Sequence, residues 1–188
     1  MMPLDARQTR PLEGGASFSI GNRLARVAWG LAWLVLARFT PPPLHGWRRL
    51  VLKVFGAKVG PGVRVHGSAR IWLPMNLELG ENCLIGPAVN LYNQGQIIVG
   101  ARSVISQGAH VCASSHDIAD PNFQLILRPI RIGEGAWVAS EAFVGPGVTV
   151  GDRAVIGARA ALFDDATADG VYLGNPACLI KQRSMRPR

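Results

Sequence analysis

Between Val59 and Thr167 the apolar residues of this chain return at every sixth position. Reading in steps of six from Val59, Leu79, Val99, Ile132 and Val150 gives fifteen phrases, and each opens on Val, Ile or Leu. The second residue is Gly in eight of them, Gly60, Gly80, Gly133 and Gly157 included, and the fifth is small everywhere except Met75. A six-residue period predicts a parallel β-helix, in which short strands wind round a triangular prism and each coil stacks on the last. Three phrases make one coil of about eighteen residues, and neighbouring rungs lie roughly 4.8 Å apart. The first residue of a phrase is expected to point into the prism, where β-branched and leucine side chains stack into columns. The fifth faces inward near a corner and has to be small. Glycine suits corners because it tolerates angles and close approaches that other residues resist.

The interruptions of the repeat carry as much information. Coils starting at 59, 79 and 99 are spaced by twenty residues, which leaves Leu77-Glu78 and Ile97-Ile98 as extra pairs. The third coil is read as ending at His116, after an inward Ser115. An excursion from Asp117 to Arg131 follows before the pattern resumes at Ile132. All three insertions then fall at one corner, and the coils from 132 and 150 have none. Repeat proteins gather binding surfaces where insertions stack. His116 stands at the base of the longest one.

The flanks differ in character. Residues 1–22 read as a loosely held tail, 23–57 as a helical segment, 58–180 as the β-helix with its loop 117–131, and 181–188 as a basic tail. Arg23 to Phe39 is strongly apolar, Pro41-Pro42-Pro43 stops it, and a second helix runs from about Leu44 to Phe55. The uncharged run Val27–Ala37 is shorter than the roughly 20 residues a bilayer span needs. No small-residue cleavage site follows closely, so no signal peptide is expected. Two compatible readings remain for these helices. They cap the open end of the prism, whose core and strand edges are otherwise exposed. Alternatively, residues 23–55 lie on a membrane, with tryptophans at headgroup level and arginines on anionic lipid.

Composition narrows the partners. The net charge is +8, which suits anionic ligands or an acidic membrane surface. The basic residues lack the aromatic interleaving of nucleic-acid platforms, so no nucleic acid is expected. Cys83, Cys112 and Cys178 form neither CxxC nor a close pair and read as reduced thiols in a cytoplasmic protein, peripheral to the inner membrane face if the helices touch lipid.

Several segments together are more specific than the period. Cys112-Ala113-Ser114-Ser115-His116-Asp117, Phe143-Val144-Gly145-Pro146-Gly147-Val148 and Gly174-Asn175-Pro176-Ala177 resemble hexapeptide-repeat acyltransferases. Leu44-His45-Gly46-Trp47-Arg48-Arg49 and Phe55-Gly56-Ala57-Lys58 are similar to the lead-in of the colanic acid biosynthesis acetyltransferases. The resemblance spans roughly residues 23 to 180. It implies an all-β, left-handed parallel β-helix of about five to six coils with an N-terminal helical segment and a protruding loop. It further implies a homotrimer with active sites between adjacent prisms, acetyl-coenzyme A as donor, and a carbohydrate acceptor in exopolysaccharide or surface-glycan assembly. That acceptor is lipid-linked if the helices touch membrane.

Acetyl transfer from a thioester to a hydroxyl needs a group that removes the alcohol proton, and a neutral imidazole suits this near pH 7. His116 matches the family's catalytic histidine. By the same resemblance the backbone amide of Ser140 is the oxyanion donor, while Tyr92, Asn93 and Asp117 are candidates for binding the acceptor. Trp137, Ala139, Gly157, Ala158 and Ala160 are expected along the coenzyme groove, with Asn175, Pro176, Lys181 and Arg183 near its nucleotide end. Asp164 and Cys178 replace a lysine and an arginine common among relatives, which removes two phosphate partners. No metal is expected. The rival readings are a non-catalytic trimeric scaffold and a zinc hydratase of the γ-carbonic anhydrase type, for which His66, His110 and His116 are the available ligands.

Overall fold

The computed structural model describes residues 2–184, so the last four residues of the tail expected at 181–188 lie outside the described part. The chain folds as a left-handed parallel β-helix with three faces. The first face stacks Lys58–Val59, Leu77–Leu79, Ile97–Val99, Ile130–Ile132 and Thr149–Val150. The second stacks Arg64–Val65, Leu84–Ile85, Val104–Ile105, Trp137–Val138, Val155–Ile156 and Gly170–Leu173. The third stacks Arg70–Ile71, Asn90–Tyr92, His110–Cys112, Phe143–Val144 and Ala161–Leu162. A bridge from Val150 to Ala166 starts a sixth turn, and Cys178–Gln182 folds back antiparallel on the last strand of the second face.

All fifteen phrase-opening residues are buried, and each pairs in register with its counterpart one coil away. Most fifth residues close the corners from inside; Cys83 is one, and burial pushes its thiol up to about 12. The corners themselves work differently from the expectation. The left-handed residue is the fourth of the phrase, and it is Asn82 or Arg102 as readily as Gly62. The second-position glycine answers to stacking instead, since a Cβ on Gly80 would lie 2.5 Å from the Ala101 nitrogen of the next coil.

The three insertions do share the corner between the third and first faces, with two boundaries shifted. Leu77 and Ile97 are buried strand residues that pair with each other, so the extra residues are taken up in the corners before them. The third coil closes at the buried Ala113. Ser115 is only half-buried, because Ser114–His116 leaves the prism as one arm of a hairpin with Leu125–Leu127. Ile130 is already back on the first face, opposite Ile97.

The helices Ile20–Leu36 and His45–Val54 close the open end. In the second coil the carbonyls of Cys83, Ile85, Val89 and Leu91 accept from amides of the first coil. Their first-coil counterparts have no preceding coil, and side chains take its place. Arg49 donates to the Val63 carbonyl at 2.9 Å and Arg48 Nε to Val65 at 2.7 Å. The indole N–H of Trp33 donates to Ala69 at 3.1 Å and that of Trp29 to Ile71 at 2.7 Å. Arg48 is fully buried, and its remaining N–H groups reach Thr40 Oγ1 and the carbonyls of Pro41 and Pro42. Such an edge must be satisfied because a buried orphan carbonyl costs about 1–3 kcal/mol. Trp29 and Trp33 therefore belong to the core and cannot sit at a lipid headgroup; Trp47 is the exposed one.

The segment read as a loosely held tail at 1–22 is anchored instead, by Leu4 and Ala6 on the hairpin and by Phe18 on the first coil, and its last residues already belong to the long helix. Asp5 caps a short helix, Ala6–Thr9, whose first amide donates to Gln124 Oε1 at 2.7 Å. Gln124 Nε2 donates back to the Leu4 carbonyl at 3.1 Å. Phe18 is buried against Trp72, ring to ring at 5.0 Å.

Candidate active site

His116 ends the outgoing arm of the hairpin, where the chain has left the prism but is held by its partner strand. Its Nδ1 lies 2.8 Å from the Phe123 carbonyl, and its ring stacks on the Phe123 ring at 4.3 Å and 12°. A carbonyl can only accept, so Nδ1 carries the hydrogen and the Nε2 lone pair is left to take a proton. The ring borders a cavity of about 390 Å³ walled by Gly14, Ala16, Ser17 and Phe18, by Arg23 and Arg26 of the long helix, and by Gln94 and Leu125. The residues 14–26 that form this wall gave no sign of it in the repeat pattern.

The expected acceptor ligands part company. Asn93 is fully buried, accepts from the amides of Trp72 and Leu73 and donates to the Leu73 carbonyl. That corrects its assignment: it holds the corner together and has nothing to offer a ligand. The Tyr92 hydroxyl accepts from Gln94 Nε2 at 2.8 Å, so Tyr92 acts on the cavity through Gln94 rather than lining it. Asp117 is exposed and turned away, with Oδ1 accepting from the Ala119 amide. Gln94 is the residue the sequence reading missed. It is 7% exposed, and its Oε1 is buried without a hydrogen-bond partner among the described residues.

Ser140 follows the second-face strand Trp137–Val138, at the corner leading to the third face. His116 lies beyond the third face, so one chain does not bring the two together. The Ser140 amide makes no hydrogen bond with a described residue, but neither do those of Gln107 and Ala158 at the same corner. A free N–H is thus a property of this corner.

The expected coenzyme groove is also partly redrawn. Ala160 is 1% exposed and points into the prism, and Ala139 is buried as well. Gly157 is buried beneath Leu173, whose methyl would meet a Cβ there at 2.0 Å, so its smallness serves the next coil. These three cannot line a groove on one chain. Ala158, Asn175, Pro176 and Lys181 are exposed. Trp137, bonded through its indole N–H to Ser106 Oγ at 2.9 Å, shares a surface depression with Arg102 and Arg183. Arg183 also donates to the Arg153 carbonyl at 3.0 Å.

The histidines of the hydratase reading do not converge. His66 Nδ1 pairs with Ser68 Oγ at the end of the first second-face strand. His110 is sandwiched edge-on between Tyr92 and Phe143 on the third face, and burial lowers its pKa. Among the described residues no three His, Cys, Asp or Glu side chains are placed to hold a metal.

A three-faced hexapeptide prism with one imidazole held at its insertion corner, Nε2 free, defines an acyltransferase of the hexapeptide-repeat class. Comparisons with known proteins agree. The family described as "Bacterial transferase hexapeptide (six repeats)" matches residues 129–163. The Escherichia coli K12 protein named "Putative colanic acid biosynthesis acetyltransferase WcaF" is 42% identical over 166 residues, covering 88% of this chain and 91% of that one. A maltose O-acetyltransferase from Clostridium difficile 630 superposes with a TM-score of 0.81 at 22% identity, over 89% of this chain and 90% of that one. A hexapeptide-repeat acetyltransferase of Vibrio cholerae, solved with acetyl coenzyme A, gives 0.81 at 18% identity over 97% and 100%. The chain belongs to the hexapeptide-repeat acetyltransferases, in the family of the colanic acid biosynthesis acetyltransferases.

Proposed function

We propose that the protein transfers an acetyl group from acetyl-coenzyme A to a sugar hydroxyl during assembly of an exopolysaccharide or surface glycan. The observation that carries this reading is His116, with Nδ1 committed to the Phe123 carbonyl, Nε2 left without a partner among the described residues, and the residue lining a cavity. The hydroxyl gives its proton to Nε2 as its oxygen forms a bond to the thioester carbon. Collapse of the tetrahedral adduct breaks the carbon–sulfur bond, and the thiolate takes the proton back from Nε2, leaving ester, thiol and neutral imidazole. A fixed amide facing the developing oxyanion stabilises it by about 3 kcal/mol, and Ser140 is our candidate donor.

Because His116 and Ser140 stand at different corners of one prism, the complete site needs a neighbour. A homotrimer in which each prism presents its Ser140 corner to the next one's His116 meets that need. The names of the relatives support sugar hydroxyls as acceptors: one is called a maltose O-acetyltransferase, and the Escherichia coli relative's name refers to colanic acid. Acetyl coenzyme A is present in the Vibrio cholerae structure.

A peripheral membrane position fits the outer side of the cap. Ile20, Leu24, Val27, Leu31 and Val35 are exposed at helical spacing, and no helix among the described residues is long and apolar enough to cross a bilayer. An acceptor carried on lipid would be met there. Leu24→Glu with Leu31→Glu should abolish sedimentation with anionic vesicles while the fold remains; unchanged sedimentation would remove this placement.

The reaction itself is tested by mass spectrometry of candidate glycans after incubation with isotopically labelled acetyl-coenzyme A. His116→Ala should lower kcat by roughly 10²–10⁴, about 3–5 kcal/mol of barrier, with unfolding unchanged within about 0.5 kcal/mol. A variant that keeps full turnover would refute the assignment of the base.

A further inference from the structure

The cavity at His116 contains no carboxylate, and two arginines face it. Arg23 and Arg26 also line a second depression of about 490 Å³, which runs along the long helix over Trp29, Trp33 and Trp72 to Arg38 and Arg70. Two adjoining hollows therefore share one pair of arginines, and the farther hollow adds two more. None of the four forms an ion pair with a described residue; Arg26 rests on the Trp72 ring, 4.4 Å from its centre. The carboxylate nearest to Arg23 and Arg26 in sequence, Glu13, is paired with Arg10. From Gly14 to Leu77 there is no Asp or Glu, against nine Lys and Arg.

The floor of the first hollow adds a requirement of a different kind. Gln94 spends its Nε2 on the Tyr92 hydroxyl, and its buried Oε1 lacks a donor. A buried acceptor left in that state is unfavourable until a ligand hydroxyl supplies the hydrogen. Unpaired guanidinium forks match phosphate oxygens in shape and charge, and stacking on an aromatic ring holds such a fork in place without neutralising it. A ligand that satisfies both ends has hydroxyls at one end and negative charge at the other.

We propose that the acceptor is a phosphorylated saccharide, a glycosyl phosphate or diphosphate, bound with its sugar ring in the His116 cavity. One hydroxyl donates to Gln94 Oε1 while the reacting hydroxyl meets His116 Nε2. The phosphate nearest the sugar lies on Arg23 and Arg26, and Arg38 and Arg70 receive the charge beyond it. A tract of four arginines favours a diphosphate over a single carboxylate. The proposal rests on the acetyltransferase reading for its chemistry but not for its anion site.

Two measurements separate them. The first is calorimetric titration of the full chain with sodium diphosphate and with α-D-glucose 1-phosphate, in the presence of saturating coenzyme A so that donor phosphate sites are filled. Arg23→Gln with Arg26→Gln should weaken diphosphate binding at least tenfold, Arg26→Lys should weaken it less, and His116→Ala should leave it unchanged. Binding that ignores both arginines, or no binding at millimolar diphosphate, overturns the proposal. If loss of the Arg26–Trp72 contact unfolds the double variant, the exposed Arg23→Gln and Arg38→Gln carry the same test singly. The second is labelled acetyl transfer to methyl α-D-glucoside, glucose 1-phosphate, UDP-glucose and a short-chain polyprenyl diphosphate glucose. Preference for the phosphorylated members by tenfold or more in kcat/KM supports the proposal, and the better of the last two identifies a nucleotide or a lipid carrier. Equal use of the neutral glucoside sinks it while leaving the reaction intact. Arginine-dependent diphosphate binding with no transfer to any acceptor keeps the anion site and removes the reaction.

Discussion

In the middle coils of the prism each phrase-opening side chain meets its own kind one coil above and one coil below: Ile85 packs between Val65 and Ile105, and Val138 between Ile105 and Ile156. Around His116 nothing repeats. The imidazole is held by a carbonyl seven residues on, and its cavity is walled by a segment that precedes the prism altogether. Equivalent rungs spread stability over many similar contacts, as expected for a stacked repeat in which each coil is held by its neighbours. Unique contacts concentrate function in a few residues that contribute little to the fold. Substitutions should sort accordingly, with losses of stability in one region and losses of binding or turnover in the other.

Arg48 gives the hardest test of that division, because it lies outside the repeat yet completes it. Replacing it by Ala leaves the Pro42 carbonyl without a donor and takes one donor each from the Val65 and Pro41 carbonyls, which keep His45 Nδ1 and the Leu44 amide. One orphaned acceptor, two weakened ones and the cavity left by a fully buried side chain predict a loss of roughly 2–4 kcal/mol, read from the midpoint of urea unfolding. Arg48→Lys keeps the charge but not the fork and should fall between. A loss below about 1 kcal/mol would mean that the helices merely rest on the prism end.

Gln124 probes the other region. It binds both Leu4 and Ala6 and so ties residues 2–18 to the hairpin that carries His116. Gln124→Ala should cost only about 1 kcal/mol, yet it should speed hydrogen exchange at Ala6 and raise the KM for acceptor several-fold while kcat changes little. If exchange in residues 4–17 stays slow, the wall of the cavity is held by Phe18 and Trp72 instead.

The same contrast explains what could be read in advance. The prism was legible because its signal is local and repeated fifteen times: Val59, Leu79 and Val99 each announce the same inward position. His116 was legible because it sits where that register breaks. The cavity wall was not, since the contact of Ala6 with Gln124 joins residues 118 apart with no periodicity to link them. Asn93 misled for a related reason. A polar residue at a corner can face outward or turn in to bind its own backbone, and only the loop geometry of the first insertion decides that. Gly157 and Ala160 misled because smallness demanded by the next coil, or by the inside of a corner, looks the same in sequence as smallness left for a ligand.

The smallest effect concerns two histidines, one in each non-catalytic setting. Burial lowers the pKa of His110 on the third face from its ordinary value. His45 under the cap is lowered chiefly by burial, with the Val65 carbonyl opposing and the Arg48 and Arg64 charges pushing it further down. In the unfolded chain both titrate near 6.5. As pH falls below that value the unfolded state takes up protons that the folded state refuses, so stability declines until the depressed folded pKa values are reached and then levels. Thermal unfolding between pH 7.5 and pH 5 should show this fall. His110→Phe should flatten part of it, because Nε2 of His110 is buried without a partner and an apolar ring fits between Tyr92 and Phe143. It should also raise stability at pH 7.5 by about 1 kcal/mol, the cost of an unpaired buried nitrogen. A steeper decline in His110→Phe than in the parent would show that the third face stabilises a charged imidazole, and the assignment of that face as a dry, neutral surface would be wrong.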